Sequence, residues 1–80
     1  MNNTKWLFKP AFVLYRPCVD THALLHIPTR IYIARVYKNV GEDTWTAFSR
    51  QIGAASERVF ATPEEGKAYI DALLTLEGLI

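Results

Sequence analysis

Cys18, Asp20, His22 and His26 are the metal-ligand types that this sequence gathers in one stretch. If 18–26 were helical throughout, Cys18, His22 and His26 would share a face at successive spacings of four. Closed zinc sites usually draw a second cysteine pair or distant ligands, and Pro17 just before Cys18 keeps a helix starting there short. His22-Ala23-Leu24-Leu25-His26 also lacks the glutamate that serves as general base in the His-Glu-x-x-His zinc-protease pattern. A thiolate beside an imidazole is the minimum for a cysteine nucleophile, yet no orienting third residue is spaced recognisably. The four glycines are scattered singly and build neither a phosphate cradle nor an oxyanion loop. The expectation is a protein that is not an enzyme and takes no metal or cofactor, with structural histidines and an inert thiol.

The elements that must position these residues divide at the prolines. Pro10 and Pro17 bound Ala11–Arg16, an apolar run that reads as a buried or edge strand. Residues 20–26 read as one or two helical turns, with Asp20 or Thr21 as N-cap and Pro28 ending them. Arg30–Lys38 is β-branched and aromatic and reads as a strand, with Tyr32, Ala34 and Val36 on one side and Ile33, Arg35 and Tyr37 on the other. Asn39-Val40-Gly41-Glu42-Asp43 has turn chemistry, so Thr44–Ile52 returns as the second arm of a hairpin. Gly53-Ala54-Ala55 turns again, and Ser56–Phe60 is a short third strand.

Thr62-Pro63-Glu64-Glu65 is a helix start: Thr62 and Glu65 form a capping box, and Pro63 sits where no N–H is needed. Tyr69, Ile70, Leu73, Leu76 and Ile80 recur at three and four residues as the apolar face, with Asp71 opposite and Leu74 at the border. A helix is expected from Pro63 to about Leu76. The fold class is therefore α+β: an antiparallel sheet of three to four strands packed by one C-terminal helix, with a short helix possible near 21–26.

With 80 residues, half of them hydrophobic, the chain reads as one domain spanning 1–80. A single cysteine fits a reducing cytosol. No apolar run near the N-terminus has the length of a signal-peptide core, and none elsewhere approaches a membrane span. The expected location is cytoplasmic, in a host cell, with no membrane partner. Net charge is +1, but residues 1–39 sum to +5 and residues 40–80 to −4, a polarity that suits a molecule presenting one charged face to a partner. Ten residues are Trp, Tyr or Phe, more than so small a core easily encloses, and such rings together with arginine anchor interfaces. The candidate partner-binding residues are Arg35, Tyr37, Trp45, Arg50 and Arg58, with Tyr15 a further exposed aromatic.

Ile33-Ala34-Arg35-Val36, Trp45 in the next strand, and Val59-Phe60-Ala61-Thr62-Pro63-Glu64-Glu65-Gly66-Lys67 resemble the three-strand-plus-helix pattern of arm-type DNA-binding domains of tyrosine integrases and the plant AP2 domain. That resemblance implies a sheet face turned away from the helix and into a DNA major groove, with Arg35, Arg50 and Arg58 at the basic positions. The chain differs in its thirty-residue N-terminal extension and in a sheet poor in lysine and arginine. In format, meaning size, minimal sheet, segregated charge and no catalytic set, the chain resembles small phage inhibitors of the anti-CRISPR kind. That resemblance implies a non-enzymatic inhibitor that occludes a nucleic-acid-binding or partner surface of a host protein or ribonucleoprotein complex. This is the leading expectation, and a DNA-binding module of phage or mobile-element origin is the alternative.

Overall fold

The computed structural model describes residues 3–12 and 19–79. Five strands, β1 (Thr4–Phe12), β2 (Val19–His26), β3 (Ile31–Lys38), β4 (Trp45–Ser49) and β5 (Gly53–Phe60), form one antiparallel sheet in sequence order, and α1 (Pro63–Leu76) follows. Short connections force this meander. In the β2–β3 turn, Arg30 donates its N–H to the His26 carbonyl at 2.8 Å. Between β3 and β4 the Asn39 side chain braces both arms, donating to Thr44 Oγ1 at 3.0 Å and accepting from Thr46 Oγ1 at 2.8 Å. Between β4 and β5, Ser56 Oγ accepts from the Ser49 N–H at 2.9 Å and donates to the Gly53 carbonyl at 2.7 Å, which satisfies buried polar groups at the tightest bend. Gly53 takes φ 88°, a left-handed conformation that side chains disfavour.

Helix α1 spans the expected range and carries the expected capping box. Its buried row is Gly66, Ile70 and Leu74, a spacing of four, and Leu76 is 81% exposed. The face is thus rotated from the one expected through Leu73 and Leu76, and Ile80 lies outside the described residues. Gly66 explains the rotation: a Cβ there would lie 2.8 Å from Val36 Cγ1, so the bare glycine lets the helix settle onto Val36 and Ala47. Asp71, expected toward solvent, accepts the Trp6 indole N–H at 3.1 Å and ties the helix to β1.

Residues 20–26 are strand, not helix. Isolated helical turns are costly to nucleate, whereas this segment pairs with β1 on one side and β3 on the other and so satisfies both rows of backbone groups. With β1 it raises the strand count to five. The strand expected over Ala11–Arg16 falls mostly outside the described residues, and β1 begins earlier, at Thr4. The third arm of the meander starts at Gly53 instead of Ser56. In β3 the register shifts: Leu24 faces Ala34 while Leu25 faces Tyr32, leaving Ile33 as the extra residue. Ile33 consequently joins the core with Leu24, Ala34, Val36, Ala47, Ile70 and Leu74, and Tyr32 moves to the side of Arg35. Among the described residues no helix is long and apolar enough to cross a membrane.

Candidate binding face

Directly paired residues of a sheet share a face, so the helix contacts sort every strand position. Val36 and Ala47 meet the helix at Gly66, and α1 packs over β3, β4 and β5. Arg35 and Phe48, a cross-strand pair, and Tyr37 opposite Thr46 therefore point away from it. The register carries this open face outward: Ala23 lies opposite Arg35, Thr21 opposite Tyr37, and on β1 Leu7 opposite Ala23, Lys9 opposite Thr21 and Lys5 opposite Leu25. Val59, opposite Thr46 on β5, completes it.

The floor of this face is made of small residues, Thr21, Ala23 and Thr46, all buried beneath larger neighbours. Above the floor stand rings with cations over them. The Arg35 guanidinium carbon lies 5.3 Å from the Tyr37 ring centre and 5.4 Å from that of Phe48, and Lys9 Nζ lies 5.3 Å from the Tyr32 ring centre. These distances are within cation–π range. Among the described residues no carboxylate lies within 4.0 Å of Arg35, and the guanidinium makes no hydrogen bond to them. Tyr32 is 40% exposed.

The five expected binding residues occupy three places. Arg35 and Tyr37 share the open face. Trp45 is on the helix side, half-buried against the core, with its ring centre 5.6 Å from that of His22. Arg58, opposite Ala47, is on the helix side of the edge strand and exposed. Arg50 is exposed in the β4–β5 turn, where its N–H donates to the Ile33 carbonyl at 3.2 Å. Tyr15 lies outside the described residues. Lys5, Lys9, Tyr32 and Phe48 were not among the expected binding residues. Phe48 was legible, since alternation from Ala47 places it beside Arg35, but Tyr32 depends on the bulge and the lysines on the register of β1.

The histidines fall elsewhere. His22 lies between Phe8, at 4.7 Å, and Trp45 on the helix side, its ring tilted against both. Burial holds its pKa below the usual 6.5, Lys67 adds to the lowering, and Glu64 and Asp20 oppose it. His26 pairs its Nδ1 with Thr29 Oγ1 at 2.7 Å. Cys18 lies outside the described residues, and among those described no three His, Cys, Asp or Glu side chains come together as a metal site requires. The open face thus brings together aromatic rings, cations and a floor of small side chains. The chain matches no protein-family model, and no curated protein or solved structure is detectably similar to it.

Proposed function

We propose that this chain is a small non-enzymatic binding protein that inhibits a macromolecular complex by laying its open sheet face over a surface the complex needs, as inhibitors of the anti-CRISPR kind do. The observation that carries the reading is Arg35, held over Tyr37 and Phe48 at the centre of a sheet face that, among the described residues, nothing covers and no carboxylate pairs. Half-buried arginine framed by aromatics is the composition of an interface anchor. The partner is a protein or ribonucleoprotein complex of the host.

Arg35 lies on the sheet face away from the helix, and this placement favours a second reading, an arm-type DNA-binding module, because that face would enter a groove. The low number of cations on the face weighs against it, since duplex binding draws its affinity from many neutralised phosphates. Affinity capture from the native cell tests the leading reading. Arg35→Glu is expected to lower partner recovery about tenfold or more, while Cys18→Ser and His26→Ala leave it unchanged. Loss of capture in Cys18→Ser with Arg35→Glu unaffected would remove both readings. Submicromolar binding to random duplex DNA in a gel shift, with a steep salt dependence, would transfer the assignment to the DNA module.

A further inference from the structure

Taking the open face as the working surface, we infer that its ligand is a short stretch of single-stranded nucleic acid, such as a ribonucleoprotein complex exposes, with bases stacked on Tyr37, Phe48 and Tyr32 and phosphates met by Arg35, Lys9 and Lys5. Three features of the face lead there. The rings of Tyr32, Tyr37 and Phe48 stand on one face over a floor of small side chains, Tyr32 40% exposed and the other two half-buried beneath Arg35, so that they offer stacking stations for planar bases once the guanidinium moves. Each ring station carries its own cation, Arg35 at Tyr37 and Phe48 and Lys9 at Tyr32, which matches a polymer that alternates flat bases with negative phosphates. With no carboxylate among the described residues holding it, the Arg35 guanidinium can swing from the rings to a phosphate and uncover them, or stack on a base itself.

The same features disfavour the other macromolecules. Protein interfaces concentrate aromatics and arginine and are depleted in lysine, whereas here Lys9 on the edge strand stands over Tyr32. A duplex hides its base faces in the stack, and the three cations of this face neutralise too few phosphates to hold it by charge alone. On the helix side the rings are engaged with one another: Phe60 and Tyr69 lie 5.3 Å apart, Trp45 packs on the core, and Phe8, though exposed, lies against His22 at 4.7 Å.

Fluorescence anisotropy with a labelled oligothymidine and an oligouridine of about 12 nucleotides, a length one small sheet can cover, tests this directly against a duplex of the same length. The expected result is single-strand binding at least about tenfold tighter than duplex binding, with a log–log salt slope near −2, as about three phosphate contacts give. Tyr37→Leu and Phe48→Leu should each weaken it about tenfold, and Tyr37→Phe should retain it, because stacking needs the ring and not the hydroxyl. Circular dichroism melts confirm that each variant is folded, and the two independent leucine variants guard against one failing. No single-strand binding at about 100 µM, equal binding to the duplex, or unchanged binding by both leucine variants overturns the inference. If single-strand binding is absent while Arg35-dependent capture of a protein persists, the open face keeps its role and its occupant is a protein. If both are absent, the reading of the face falls with it.

Discussion

The two faces of this sheet are built on opposite rules. On the helix side Val36 and Ala47 are bare of exposure because Gly66 lets a helix backbone approach them, and Leu24, Ile70 and Leu74 fill what remains. On the other side buried small residues support rings and cations that nothing among the described residues covers. The helix α1 carries Glu64, Glu65 and Asp71 against Lys67, with Arg58 on the same side of β5, while the open face carries Lys5, Lys9 and Arg35. A face that is closed and tight reports on stability, and one that is flat, cationic and aromatic reports on recognition. Substitutions on the two faces should therefore separate folding from binding.

The largest effect is expected at Leu74. It is fully buried, so Leu74→Ala removes packed methyl groups and leaves a cavity, at a cost of about 2–5 kcal/mol, enough to threaten a domain this small. Leu76→Ala, two residues on and 81% exposed, should change stability by less than about 0.5 kcal/mol. Thermal melts of the pair settle the helix face, and equal losses would break the contrast at its root.

Trp6→Phe comes next, because it keeps an aromatic side chain, though a smaller one, and deletes the indole N–H that Asp71 accepts across the gap between β1 and α1. The loss should be about 1 kcal/mol, read as a lowered melting temperature, and Asp71→Asn should lose less because its amide oxygen still accepts. This bond also shows where sequence reading reached its limit. The helix was legible from its capping box and its range, and the β3–β4 hairpin from its turn residues, since both are local signals. The rotation of the helix was not, because a glycine adds no side chain to a periodicity count yet decides which row sits closest to the sheet. The strand nature of 20–26 was hidden for a similar reason: its hydrogen-bond partners lie in β1 and β3, outside any local window. Of the open face, Arg35 and Tyr37 were read from simple alternation, whereas Tyr32 reached it only through the bulge at Ile33.

A smaller effect follows from His22, whose pKa burial holds below 6.5. The unfolded chain then binds a proton at a higher pH than the folded one, so this contribution to stability is complete above the unfolded value and is lost as pH falls through the lowered folded value. Melts from about pH 7.5 to 5.5 should show a steeper decline for the wild type than for His22→Asn, which cannot titrate. Identical slopes would mean that the imidazole is as solvated on the helix side as in the unfolded chain, and the closed face would be looser than its packing implies.

A small change in stability and the largest in binding are expected at one residue, Arg35. Among the described residues its guanidinium touches two rings and no carboxylate, so Arg35→Gln gives up two cation–π contacts that are partly open to water. Those are worth roughly 0.5–1 kcal/mol each at exposed sites, and the freed rings keep their packing on the floor, so the net cost should stay below about 1 kcal/mol. For a ligand the arithmetic is different: the cation is central to the face, and its removal deletes both a phosphate contact and the stack it completes. A fall in melting temperature comparable to that of Leu74→Ala would show that Arg35 is structural and that the open face is not organised for recognition. An unchanged melt with lost single-strand binding would place recognition on the face that the helix leaves open.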